Sequence, residues 1–89
     1  MTSRGTPDFW SLYRNLSGEI RQAAHRAHEK FLLNPGHPSL QLERLRKEPR
    51  LWSVRVTRDF RAVARSYEKD VWVWIWIGSH ADFDARFPV

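Results

Sequence analysis

Apolar positions along the chain change their period near residue 35. Before that point Phe9, Leu12, Tyr13 and Leu16 recur at three- and four-residue intervals, as do Ile20, Ala23, Ala24, Ala27 and Phe31. This is the spacing of one face of a helix. Thr6-Pro7-Asp8 supplies an N-cap, a proline for the first helical position and an acid for the first turn. Ser17-Gly18 breaks the first stripe, and Ser17 is placed to cap a second helix, whose Arg21, His25, Arg26 and Glu29 fall largely on the other side. Two helices with so short a break predict an antiparallel hairpin.

Leu33-Asn34-Pro35-Gly36-His37-Pro38 is the strongest breaker in the chain, and after it the period falls to two. Leu40-Gln41-Leu42, extended by Leu45, predicts a short strand. Trp52, Val54 and Val56 alternate with Ser53, Arg55 and Thr57, and Phe60, Ala62 and Ala64 with Arg61, Val63 and Arg65. Thr57-Arg58-Asp59 and Glu68-Lys69-Asp70 read as tight turns, and Val71 to Ile77 as the last strand. Strands joined by short turns form an antiparallel meander. Phe83 to Phe87 predicts a short C-terminal turn or helix. The predicted class is therefore α+β, with two N-terminal helices packed on a small antiparallel sheet of three to four strands. Residues 1–89 are expected to form one domain.

The last strand, V-W-V-W-I-W-I, is apolar on both faces. Perfect alternation places Val71, Val73, Ile75 and Ile77 on one face and Trp72, Trp74 and Trp76 on the other. The β-branched face is expected under the helices. The tryptophan face then needs a second cover: the C-terminal segment, the loop around Leu40, or a partner chain. At seven residues the run is far below the roughly 20 that cross a bilayer as a helix.

Composition refines this picture. Five Trp and five Phe give a chain of 89 residues large buried area per side chain. With no Cys, disulfides and thiolate chemistry are excluded. Met1 to Gly5 lacks the apolar stretch of a secretory leader, so a cytoplasmic protein without membrane association is expected. The net charge of +5 is localised. Residues 40–67 carry eight basic groups (Arg44, Arg46, Lys47, Arg50, Arg55, Arg58, Arg61 and Arg65) against Glu43, Glu48 and Asp59. Seven of the eight are arginine, the residue suited to bidentate phosphate contacts. An anionic partner is expected: nucleic acid, a phosphorylated substrate or an acidic protein.

Other constellations are weaker. His25, His28 and Glu29 could hold a metal, but a solvated helix face is the stronger reading. There is no glycine-rich phosphate loop and no Ser/His/Asp ordering of a hydrolase. No metal or cofactor is expected.

Five segments together are similar to a known family: T-P-D-F-W-S-L-Y (6–13), N-P-G-H-P-S-L (34–40), L-W-S-V-R-V (51–56), F-R-A-V (60–63) and W-I-G-S-H-A-D-F-D (76–84). In this order they resemble the RelE/ParE superfamily of bacterial type II toxins, over about residues 6–87. The pair F-R-A-V and a strand ending G-S-H is the most specific part. The resemblance implies two helices against a small antiparallel sheet, often preceded by a short strand. Only Met1 to Gly5 is available for that strand, so it is expected to be missing or abbreviated.

The resemblance also implies a toxin neutralised by a co-expressed antitoxin, which the basic charge suggests is acidic. RelE-like members cut mRNA in the ribosomal A site, which is the leading expectation; ParE-like members poison DNA gyrase without nuclease chemistry, and a degenerate toxin that binds RNA or its antitoxin without killing is the third alternative. Metal-free RNA cleavage needs a base for the 2′ proton, cations for the transition state and an acid for the 5′-oxygen. Arg61 matches the family's strand arginine, which contacts the scissile phosphate in RNA-cutting members. Arg55 stands where those members carry a basic residue, and His80 matches the histidine after the last strand. Arg55, Arg61 and His80 are thus the candidate catalytic residues, with Arg44, Arg46, Lys47, Arg50, Arg58, Arg65 and Phe83 as candidate RNA- or phosphate-binding residues. A solvated sheet face remains the alternative for the arginines, and a turn-bonding strand end for His80. Many RNA-cutting members have a tyrosine near the place of Phe83, which has no hydroxyl to move a proton. Glu43 and Glu48 are possible bases.

Overall fold

The computed structural model describes residues 1–88. In chain order the elements are β1 (Thr2–Gly5), α1 (Pro7–Arg14), α2 (Gly18–Leu33), a 3-10 turn at Pro38–Leu40, β2 (Glu43–Arg44), β3 (Leu51–Thr57), β4 (Phe60–Tyr67), β5 (Val71–Ser79) and α3 (His80–Arg86). Each α-helix starts at a side-chain cap. Thr6 Oγ1 accepts from the Phe9 amide at 3.1 Å, Ser17 Oγ from Ile20 at 3.2 Å and Ser79 Oγ from Asp82 at 3.1 Å. These oxygens satisfy amides that have no partner within a first helical turn.

The sheet order is β1-β5-β4-β3-β2. Strands β2 to β5 form the antiparallel meander. The turn at Glu68–Asp70 is closed by two left-handed residues, Lys69 (φ 63°) and Asp70 (φ 59°). The sheet has five strands rather than three to four, because the abbreviated N-terminal strand is present. β1 pairs in parallel with β5, with Ser3 opposite Trp72 and Gly5 opposite Trp74. Gly5 is needed where the chain turns into α1: a Cβ there would lie 2.8 Å from the rings of Phe9 and Trp10.

Two further expectations are corrected. Leu40–Leu42 is not a strand. Pro38–Leu40 forms the 3-10 turn, Gln41 is left-handed (φ 46°), and the strand that pairs with β3 is Glu43–Arg44. Leu40 is instead buried in the main core.

The second correction concerns β5. Trp74 lies opposite Ala64 and Trp76 opposite Val63, so Ile75 has no partner on β4. This bulge reverses the alternation halfway along the strand. Before it, Trp72 and Trp74 point toward the helices and meet Phe31 at ring-centroid distances of 5.1 and 5.2 Å. After it, Ile77 takes the helix side, packed with Phe9, Ala27, Val54 and Ala62. Trp76 turns to the opposite face, against Leu51 and Val63, where Phe83 and Phe87 cover it. The tryptophans therefore do not share a face, and the β-branched residues do not line up under the helices. The C-terminal segment is the cover for Trp76.

Candidate functional site

Alternation along β3 and β4 sends Val54, Val56, Ala62 and Ala64 into the core beneath α1 and α2. Arg55, Arg61 and Arg65 consequently stand on the other face. Arg55 is directly opposite Arg61, and Arg61 in turn opposite Gly78 on β5. At the end of β5, Ser79 caps α3 and makes His80 its first residue. The His80 amide donates to the Asp59 carbonyl at 2.7 Å, which fastens the start of α3 to the β3–β4 turn. Arg55, Arg61 and His80 are thus gathered at one end of this face.

Arg61 is held in place. Its Nη1 donates to three turn carbonyls, Thr57 at 2.8 Å, Arg58 at 3.1 Å and Phe60 at 3.0 Å. Burial lowers its pKa from the ordinary arginine value and the like charge of Arg55 adds to this, while Asp84 and Asp59 act in the opposite direction. It remains a cation at neutral pH, because guanidinium titrates far above it. Among the described residues its remaining N–H groups make no hydrogen bond, so they are available to an anion. His80 is exposed, with Nδ1 3.4 Å from Asp84 Oδ2 one helical turn on. Two facing guanidiniums, an imidazole and an orienting carboxylate can bind a phosphodiester and move a proton.

The other arginines are dispersed. Arg65 is half-buried on the same face, paired in register with Leu51. Arg58 is exposed at the tip of the turn beside Arg61. Arg46, Lys47 and Arg50 are exposed on the β2–β3 connection. Arg50 precedes the far end of β3, about 16 Å from Arg55 at strand rise. Arg44 lies opposite Trp52 in the β2–β3 ladder and sits 5.3 Å over its ring, on the helix side of the sheet. Phe83 is half-buried and committed to packing, 6.2 Å from Trp76 and 5.6 Å from Phe87. Glu43 is exposed at the edge strand, and Glu48 is exposed in the connection beyond it.

Sequence reasoning missed Asp84 and Asp59. The i, i+4 spacing of His80 and Asp84 carries a signal only once Ser79 is read as the cap that starts a helix there. It also misplaced His28. His25 and Glu29 pair at 3.6 Å on the solvated side of α2, but His28 turns inward, its Nε2 2.8 Å from Ser3 Oγ. Burial is the main cause that lowers the His28 pKa from its ordinary value. Among the described residues no three His, Asp or Glu side chains are grouped to hold a metal. No helix among them is long and apolar enough to cross a membrane.

Comparison with solved structures shows the same architecture. The YoeB/ParE toxin from Agrobacterium tumefaciens superposes with a TM-score of 0.73 at 20% identity, covering 90% of this chain and 99% of that one. The RelB–RelE antitoxin–toxin complex from Methanococcus jannaschii gives 0.74 at 12% identity, with 94% and 98% covered. The isolated RelE toxin of E. coli gives 0.70 at 16% identity, with 96% and 94% covered. At such identities the likeness is one of fold. No curated protein matches the sequence. The ParE-like toxin domain family does match, over residues 18–85, which span α2, the whole meander and the Arg55–Arg61–His80 site. The chain therefore belongs to the ParE-like toxin domain family.

Proposed function

We propose that this chain is the toxin of a toxin–antitoxin pair and acts in the cytoplasm as a ribosome-dependent endoribonuclease on mRNA. The observation that carries this reading is the pairing of Arg55 opposite Arg61, with Arg61 fastened to turn carbonyls. Two like charges held face to face disfavour one another, and a bound phosphate relieves that. In the reaction the ribose 2′-oxygen gives its proton to solvent and attacks the adjacent phosphorus, the bond from phosphorus to the 5′-oxygen breaks, and negative charge builds on the non-bridging oxygens. Arg61 and Arg55 stabilise that charge. His80 delivers the proton to the departing 5′-oxygen, its ring oriented by Asp84 at Nδ1. The products are a cyclic phosphate and a free 5′-hydroxyl. The antitoxin is an acidic protein that neutralises the basic face, in keeping with the complexes in which related folds are found.

The test is primer extension on mRNA held in purified, programmed ribosomes. A new stop within the A-site codon, absent with Arg61→Ala or His80→Ala, supports the reading. No stop with folded protein defeats it.

A second reading is favoured by Phe83, which leaves the site without a tyrosine hydroxyl, and by the ParE-like character of the matching family. Here the same arginine face binds an acidic surface of DNA gyrase. Inhibition of supercoiling by pure protein without ribosomes is the expected result, and intact supercoiling at high protein excess excludes it.

A further inference from the structure

The side of the sheet away from Arg61 holds a cavity of about 140 Å³ between α1, α2, β3, β4 and β5. Its origin is legible in the residues. Ala24 and Ala27 of α2 and Ala62 of β4 line the space where longer aliphatic chains would close it. Protein interiors seldom leave a void much larger than a water molecule. Aromatic rings form much of the remaining wall, chiefly Phe9, Phe31 and Trp74. Arg4, Trp10 and His25, all exposed, also line it, so the cavity reaches solvent.

Ser3 and His28 together set a hydrogen-bonded pair into this apolar wall. Trp74 Nε1 donates to Ser3 Oγ at 2.8 Å, and Ser3 Oγ lies 2.8 Å from His28 Nε2. Indole can only donate, so Ser3 accepts there. If neutral His28 accepts at Nε2, Ser3 keeps a free lone pair; if His28 donates, Ser3 keeps its hydroxyl hydrogen. In either tautomer Ser3, which lines the cavity, retains one hydrogen-bonding capacity. The space is that of a single aromatic ring, since an apolar cavity of about 150 Å³ holds benzene.

We propose that this cavity binds a small, neutral, monocyclic aromatic molecule bearing one hydroxyl, its ring between Phe9, Phe31 and Trp74 and its hydroxyl on Ser3. A phenolic hydroxyl both donates and accepts, so it satisfies Ser3 in either tautomer. The site is remote from the arginine face and is independent of which toxin activity the chain has.

The experiment is titration of the full ¹⁵N-labelled chain with phenol, following the indole N–H resonances. The expected result is a saturable shift at Trp74, with Trp76, on the opposite face, unmoved. Benzene should bind about 5-fold more weakly than phenol, and Ser3→Ala should abolish that difference. Ala62→Leu fills the cavity and should remove phenol binding; Ala24→Leu, on the half-buried helix side, is the second filling variant if the first does not fold. Absence of a saturable shift at Trp74 overturns the proposal. So does an unchanged phenol affinity in a folded filling variant, or an unchanged phenol preference in Ser3→Ala.

Discussion

At Arg61 the guanidinium is fixed by carbonyls of Thr57, Arg58 and Phe60, faces Arg55, and is partly desolvated. Its charge is mildly opposed by the fold, so removing it should cost the folded state little while removing the proposed phosphate contact. Arg61→Ala is expected to lower mRNA cleavage about 10²- to 10³-fold. The free energy of urea unfolding should change by less than about 1 kcal/mol, since the freed carbonyls are reached by water. Arg61→Lys should retain charge but lose the planar fork, and fall between the two in cleavage rate. For His80→Ala, cleavage in the ribosome assay should fall at least about 10²-fold, and Asp84→Asn should lower the rate less. Equal cleavage by wild type and His80→Ala would remove the imidazole from the mechanism.

Elements decide where these residues meet, and here the sequence was readable in parts. The caps at Thr6 and Ser17 and the alternation along β3 and β4 are local signals. With the short Arg58-Asp59 turn, they fix the Arg55–Arg61 register. The bulge at Ile75 left no such mark. V-W-V-W-I-W-I is apolar on both faces, so no polar residue betrays the slip, and only pairing with β4 places it. β1 was equally silent. Thr2–Gly5 has no apolar alternation and is a strand because β5 offers a backbone edge and Trp74 a donor for Ser3.

The bulge has a mechanical test. The Trp76 ring lies over Gly78, where an added Cβ would be 2.7 Å from the indole. Phe83 and Phe87 pack against that ring, at 6.2 and 5.5 Å between centroids. Gly78→Ala should therefore destabilise by about 1–3 kcal/mol in urea unfolding, and by much less in a Trp76→Leu background. β1 has its own test through His28. Folded His28 binds its proton less readily than the ordinary value of 6.5. Above that pH both folded and unfolded chains are neutral there, and no proton linkage arises. As pH falls below it the unfolded chain takes the proton first, so stability declines. The urea midpoint should drop between about pH 7 and pH 5, with a shallower slope in His28→Gln.

For the molecule as a whole, the charge of +5 is split between faces, so affinity for an anionic strand should depend on few groups. Under the proposed activity, RNA binding by Arg55, Arg61 and Arg65 should weaken with salt, and each arginine removed should reduce the steepness of log K against log salt by about 0.7. Arg44→Ala, on the helix side over Trp52, should leave that slope unchanged. Filter binding across a salt series is the measurement, and an equal slope change for Arg44→Ala would contradict the assignment of faces.

The parallel pairing of Thr2–Gly5 with Val71–Trp74 also governs when the protein can exist. Translation delivers β1 first and β5 last among the strands. Until β5 emerges, β1 has no partner edge, Phe31 lacks the two indoles that pack on it, and Arg61 has neither Gly78 nor His80 beside it. A nascent chain therefore cannot bring His80 to the paired arginines, and the sheet closes only after its last strand is made. Under the proposed activity, the ribosome that makes this protein is spared by the order of its strands.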